Sequence, residues 1–484
     1  MGHADERYVG PRRPLDIVDH ADLERIHEAA IEVLAVTGCM MHSDRALDAL
    51  EAAGATVDRE TTAARIPAGA VEAALATLPG SFTLGGREPA FDLPLDGEHV
   101  YLSSDGCATM VREADGAVRP STKRDVYEAA RVVEGLDGLS MTSALVSAQD
   151  TPEESRVLHE FDACMRASHK HAMVVSMKDA TEARALIRMA EAVAGGAAEL
   201  AARPPFSAIL ATVSPLHQER SGMDLAFALA EAGIPIVLYP MPILGATGPV
   251  TPAGTAVVGA AEILAAVTAV QLVCPGAKIV HAGGPTALFM RTGAYFANVP
   301  EALLLRALQG QMARYWGLPA GLGWGGTKSK QPEAQSAYEN TLGLILELLS
   351  GADFLFGAGL LDSVRIMSLE ELVIADEVFG MATRLVRGVA VDGETLAVDL
   401  VKKLGFRGDY LFEQHTREHV RELWRARLCE TGSWESWKSA GSPRLEDRAR
   451  AVADGILATP APAFPEALGR EFDDIIAAVE SGRF

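Results

Sequence analysis

The chain has little of what most catalytic chemistry is built from. Its five cysteines (Cys39, Cys107, Cys164, Cys274 and Cys429) are odd in number and widely spaced. None stands in a CxxC or Cys/His spacing, which argues against a disulfide framework and against structural zinc. Reduced thiols of this kind suit the cytoplasm. Basic residues number 43 against 65 acidic ones, for a net charge of -22, and no basic run interrupts that balance. Nucleic acid and anionic membrane surfaces are therefore excluded as partners. No apolar run is both long and uncharged enough to span a bilayer; the stretch Ala253–Leu272 comes nearest and is broken by Glu262. The start of the chain, Met1–Arg25, is too charged for a secretion signal. GxGxxG, GxxxxGK[ST] and GxSxG are all missing, so no nucleotide-binding fingerprint and no nucleophile elbow are in evidence.

What is present is a large apolar content, 49% of residues, enough for an extensive core. After a loose arm, Asp19–Gly38 places Leu23, Ile26, Ala30, Val33 and Leu34 on one face of an amphipathic helix capped at Gly38. Two further helices are predicted at Ser43–Ala53 and Pro67–Leu78, so residues 1–95 read as a helical N-terminal section. From His99 onward a strand-length apolar segment, a polar or glycine-rich turn and a helix recur eight times. Crossovers too long for hairpins predict parallel, buried strands, and eight such units predict a closed (β/α)8 barrel over residues 96–390. An open doubly wound sheet is the alternative. Residues 391–484 read as a helical C-terminal extension.

In a barrel the site lies at the C-terminal ends of the strands. Those positions hold Asp105, Thr212, Tyr239, His281, Gly284, Trp324, Lys328 and Phe356. His171 begins its strand and reads as structural. His281 has no HxH or HxxE partner, so no metal site is predicted. Asp105 is the one clear rim carboxylate, where a glycosidase needs two. The rim is thus poor in acid–base groups and rich in glycine, hydroxyls and aromatics. Such a composition suits catalysis by positioning, with the hard chemistry brought by a cofactor, and suits a cation held against the faces of Tyr239, Trp324 and Phe356. A lyase or hydrolase using Asp105 and His281, and a non-catalytic binding barrel, are the competing readings.

Three stretches together carry a family likeness: Gly245–Gly254 with the Ala-rich helix after it, Thr327–Glu339, and Gly351–Ser363, followed in the tail by Trp434–Trp437 and Leu445–Arg448. In these the chain resembles the trimethylamine methyltransferase family over nearly its whole length. The resemblance implies a (β/α)8 barrel that moves a methyl group to Co(I) of a separate corrinoid protein, the corrinoid (cobalamin) being carried by that partner and not bound tightly here. Archaeal members hold pyrrolysine at the barrel centre; this chain reads straight through Gly321–Gln331 and so resembles the branch without it. That branch implies a quaternary amine such as glycine betaine as substrate, with a tertiary amine or a methylated sulfur compound as alternatives. From the strand ends and the loop after the seventh strand, the candidate substrate contacts are Tyr239, Trp324, Phe356, Thr212, Gly284, Lys328 and Gln335, with Asp105 and His281 the candidates for a direct catalytic role. His415 and His419, four apart on a predicted helix, replace the histidine-rich stretch expected in the tail and read as a partner-facing or solvated surface. The size of the barrel and its tail suggests a homo-oligomer.

Overall fold

The structure, a computed structural model, describes residues 9–11, 13–324 and 326–484. Eight parallel strands close into a barrel: β1 Tyr101–Ser104, β2 Leu139–Ser143, β3 His171–Val174, β4 Phe206–Ala211, β5 Ile236–Tyr239, β6 Ile279–Gly283, β7 Ala320–Gly323 and β8 Phe354–Ala358. Each is followed by a helix: α1 Lys123–Gly135, α2 Arg156–Ala167, α3 Ala180–Ala194, α4 Arg220–Glu231, α5 Pro252–Val273, α6 Pro300–Trp316, α7 Ala334–Leu349 and α8 Leu369–Val386. Closure of the ring removes the alternative of an open sheet.

The strands are buried on both faces, which is why they read as apolar runs rather than as alternating ones. Direction is nonetheless set by parity. Tyr101, Met141, Met173, Val237, Val280 and Phe354 form the inner cluster, while Leu102, Leu355, Ile236 and Ile279 pack outward under the helices. α5 is apolar on all sides because it is covered on all sides, lying between the barrel and the N-terminal helices His20–Val36 and Ala68–Leu75. Although long enough to cross a membrane, its most apolar window is 72% buried within the protein. The start of α1 is secured as its sequence suggests: Thr122 and Asp125 form a capping box, and Arg119 binds Asp125 at 2.6 Å.

The N-terminal section holds strands besides the three expected helices. Cys39–Met41, Thr56–Asp58 and Ala63–Arg65 make a small sheet that His217–Gln218, from the loop after β4, extends. A hairpin of Phe82–Leu84 and Leu93–Leu95 inserts Leu84, Leu93 and Leu95 beneath Tyr101, Met141 and Met173, closing the lower end of the barrel. In the tail, Leu445–Leu457 packs on α1 and α8, and Glu466–Glu480 packs on α2 and α3.

Candidate active site

The upper end of the barrel stays open to water. Ala211 is exposed and Asp105, Ile209 and Tyr239 are half-buried, whereas their outward-facing neighbours are buried. Asp105 continues the inward parity of Tyr101 and Ser103. Its carboxylate accepts the Gly106 N–H at 2.8 Å, and burial pushes its pKa up to about 6, against the lowering effect of that hydrogen bond. Tyr239 and Phe356 face each other across the opening with ring centroids 5.6 Å apart and planes tilted by 52°. Burial holds the Tyr239 phenol well above its ordinary pKa, and the nearby Tyr295 and Asp105 add to that. The same burial raises Tyr295, which Arg306 partly offsets.

Tyr295 was not anticipated. The segment between β6 and α6 folds into a hairpin, Thr286–Phe289 against Ala294–Phe296, that carries Tyr295 toward Tyr239 and Asp105. Thr292-Gly293 between two short aromatic-bearing runs was the available turn signal; Gly293 sits at φ 67°.

The expected rim residues divide by parity. Tyr239 and Phe356 point inward, and Gly284 lies directly against the Tyr239 hydroxyl, which an added Cβ would meet at 2.2 Å. Trp324 does not join them. Gly321 and Gly323 take the inward positions of β7, so Trp324 turns outward onto α7, where its Nε1 donates to Asn340 at 3.2 Å. Its indole lies over Gly357, the extra residue at the register shift of β8. Trp324 is 1% exposed and offers no face to a ligand. His281 likewise faces out, in register with Leu238 and Ala320, 5.3 Å from the Trp316 ring, with its pKa driven down to about 3 by burial. An imidazole so placed can neither reach the mouth nor exchange a proton there. Thr212 is also outward and donates to Glu262 at 2.6 Å. Gln335 donates to Glu339 at 2.8 Å, and the Lys328 backbone N–H donates to the other Glu339 oxygen at 2.8 Å. These three hold loops in place. His171 is buried between the Gly85 carbonyl and the Ser207 hydroxyl, 2.9 and 3.0 Å away, as a structural residue should be.

Thr212, Lys328 and Gln335 belong to a set that the rim-residue reading missed. Carboxylates borne on the helices reach up to pin the loops that frame the mouth. Glu160 on α2 accepts from the Ala148 N–H (2.9 Å), and Glu182 on α3 from the Lys178 N–H (2.6 Å). Glu262 on α5 accepts from Thr212, Ser214 and the Leu216 N–H (2.6 to 2.9 Å). Glu339 on α7 accepts from Thr327 at 2.6 Å. Glu347, also on α7, binds Arg306, whose guanidinium donates to the carbonyls of Pro285, Ala297 and Trp324 and to Asn298. Burial raises Glu160 and Glu347 to about 7 and Glu262 in the same direction. The single charge in an otherwise apolar α5 was the sequence signal for one of these ties. In the tail, the rings of His415 and His419 lie 4.3 Å apart, and His419 is bonded to Glu422 at 2.8 Å. Among the described residues no group of three or more His, Cys, Asp or Glu is gathered as metal ligands.

A closed (β/α)8 barrel with Asp105, Tyr239 and Phe356 at the C-terminal end of its strands defines the class as a TIM barrel. Comparison with known proteins makes the class specific. The trimethylamine methyltransferase (MTTB) family profile matches residues 3–481, and the chain belongs to that family. It is 31% identical over 462 residues to the trimethylamine methyltransferase MttB of Desulfitobacterium hafniense (strain DSM 10664 / DCB-2), covering 95% of this chain and 93% of the relative. It is 27% identical over 463 residues to the glycine betaine methyltransferase of Desulfitobacterium hafniense (strain Y51), covering 95% of both. Among solved structures, the monomethylamine methyltransferase (MtmB) of Methanosarcina barkeri aligns at 13% identity with a TM-score of 0.48, covering 99% of this chain and 96% of that one. The protein is a methyl-transferring enzyme.

Proposed function

We propose that the barrel mouth holds the quaternary ammonium of a small methylated amine, of the glycine betaine type, between Asp105 and the rings of Tyr239, Tyr295 and Phe356. A methyl group then passes to Co(I) of a corrinoid carried by a separate cytoplasmic protein docked over the mouth. The observation that carries this reading is the placing of one carboxylate, Asp105, near the aromatic rings of Tyr239 and Tyr295 at the end of the strands, with Phe356 against Tyr239. A permanent cation cannot donate an N–H, so it is recognised by negative charge and by ring quadrupoles, each good aromatic contact contributing on the order of 1–2 kcal/mol once water is removed.

The division of labour follows from the groups present. The C–N bond of a quaternary ammonium breaks with both electrons going to nitrogen, and the leaving group is a neutral amine. No general acid is required. The docked corrinoid supplies the nucleophile. Tyr239, with its raised pKa, stays protonated and acts as an oriented dipole, while Asp105 neutralises the substrate's charge. Binding a cation lowers the Asp105 pKa from about 6, so affinity rises as pH rises through that value.

The lack of pyrrolysine supports a quaternary over a tertiary substrate. The inner face of β7 consists of Gly321 and Gly323, which the rings of Phe354 and Phe356 cover so closely that a Cβ at either glycine would lie 2.4 Å from them. Nothing on that face could activate a poor leaving group. The test is calorimetric binding of glycine betaine, tetramethylammonium and trimethylamine, alongside loss of the Co(I) absorption when each is mixed with enzyme and reduced cobalamin. Binding and turnover with a quaternary amine support the proposal. Turnover with trimethylamine alone, or tight binding without Co(I) consumption, overturns it.

A further inference from the structure

Resting on the reading of the mouth as a quaternary-ammonium site, we propose that it selects amines whose far end is uncharged, such as an amino alcohol of the choline type, over zwitterions such as glycine betaine. Asp105 brings a carboxylate to the opening without a cation to balance it. It accepts the Gly106 N–H at 2.8 Å, and its pKa responds to burial and to that hydrogen bond, with no ammonium or guanidinium acting on it.

Arg306 is the cation whose charge acts on Tyr239 and on Tyr295, and it has no donor left for a ligand. A guanidinium carries five N–H groups. Nε donates to Glu347, and the terminal nitrogens donate to the carbonyls of Pro285, Ala297 and Trp324 and to the Asn298 side chain, at 2.7 to 3.3 Å. The side chain is fully buried. The cations around the rim are engaged elsewhere. Lys178 donates to the Glu153 carbonyl at 2.6 Å and has the carboxylates of Glu153 and Glu182 at 3.6 Å. Lys330 lies 3.1 Å from Asp362. Arg291, at the exposed tip of the hairpin between β6 and α6, stands over the Phe289 ring.

A carboxylate among aromatic rings is costly to keep charged, and a ligand with a net positive charge relieves that cost. A zwitterion brings a second carboxylate with it. In glycine betaine a single methylene separates that group from the ammonium carbon–nitrogen centre. With the nitrogen against Asp105, two like charges then share the opening, where they repel more strongly than in water. A hydroxyl or an amide at the same place meets no such repulsion. Rejection by an unpaired charge is an effective basis of specificity. The net charge of -22 acts in the same sense, because its field draws in a cation more than a neutral zwitterion.

The experiment is titration calorimetry of the full chain at pH 7.5 with glycine betaine, its carboxamide and choline. The carboxamide keeps the shape of glycine betaine and removes the charge from one end. It and choline are expected to bind about tenfold more tightly than glycine betaine, or better. Asp105→Asn is expected to weaken the two cations and bring all three compounds within about threefold of one another. The wild-type comparison decides the matter even if that variant does not fold. Glycine betaine binding as tightly as its carboxamide, or more tightly, overturns the selection and leaves the quaternary-ammonium site standing. A gap that Asp105→Asn leaves unchanged also overturns it. Binding of none of the three overturns it together with the reading on which it rests.

Discussion

Arg306 and Glu347 meet at 2.7 Å with both side chains fully buried. The pair is the junction from which the mouth is held. One guanidinium reaches the loop after β6, through Pro285, Ala297 and Asn298, and the end of β7 through the Trp324 carbonyl. Asn298 extends the tie by donating to the Gly326 carbonyl at 2.9 Å. Breaking such a pair from one side leaves a charge in the core, a cost of about 3–5 kcal/mol. Arg306→Met is therefore expected to lose that much in urea denaturation. Arg306→Lys should recover part of the stability and little of the turnover, because an ammonium cannot serve the same forked set of acceptors.

The pH dependence of that variant has a definite sign. Burial raises the Glu347 pKa from 4.5 to about 7, with Arg306 opposing the rise. A carboxyl raised in the folded state contributes stability that is present at low pH and lost as pH climbs through the folded value. Arg306→Met removes the opposing charge and lifts the folded value further, so its stability should go on falling beyond pH 7, where the wild type's contribution from Glu347 levels off. Denaturation midpoints at pH 5, 6, 7 and 8 check this; a parallel offset across the range would contradict it.

Asp105 is the residue whose loss should separate binding from stability. Its raised pKa means that the folded state holds an unfavourable charge above about pH 6. Asp105→Asn relieves that strain, so the variant should melt higher than the wild type at pH 7.5, by a margin that shrinks as pH falls through 6 toward the unfolded value of 3.8. Binding of a quaternary amine should weaken by about tenfold to a hundredfold at pH 7.5, since about 1.4 kcal/mol of lost attraction is a tenfold change. A variant that binds normally would remove Asp105 from the site.

Much of this architecture can be read from the chain before folding. The eight strand–helix periods, the cap at Thr122 and the place of Tyr239 and Phe356 at strand ends all follow from local pattern. Parity at the strand ends is where reading fails. In strands buried on both faces, composition does not distinguish barrel interior from helix interface, so His281 and Trp324 look as eligible as Tyr239. The glycines were the missed clue: Gly321 and Gly323 leave room inside for Phe354 and Phe356 and so commit Trp324 to the outside. The loop-pinning glutamates were harder to foresee, because no fixed spacing marks them: Glu182 reaches back four residues to Lys178, and Glu262 reaches back 50 to Thr212.

Trp324 and Phe356 give opposite expectations as a result. Trp324→Ala removes an indole packed between α7 and β8 and should cost about 3–5 kcal/mol of stability, with ligand affinity at low temperature changed less than threefold. Phe356→Ala takes away a ring at the mouth and should weaken binding of a quaternary amine about tenfold. Calorimetry and denaturation on both variants test the assignment, and the reverse pattern would show that Trp324 lines the pocket.

The smallest change should be the most telling. Gly284 is not at positive φ, so alanine there adds no left-handed strain; what it meets is the Tyr239 side chain, whose hydroxyl and Cζ lie 2.2 and 2.8 Å from where the new Cβ would stand. Real atoms do not approach so closely, and the phenol has to swing away from Gly284. Tyr239 is held on its other side by Phe356, so the displacement carries into the opening itself. Gly284→Ala is expected to lower kcat/KM by about tenfold to a hundredfold while the melting temperature shifts by only a few degrees. A second change, Tyr239→Leu, removes the whole ring, since Tyr239→Phe would take away the hydroxyl and leave Cζ 2.8 Å from the new Cβ. If the clash is the cause, Gly284→Ala/Tyr239→Leu should be as active as Tyr239→Leu alone, a non-additivity expected of residues in direct contact. Additive losses would mean that Gly284 acts on the site by some route other than Tyr239.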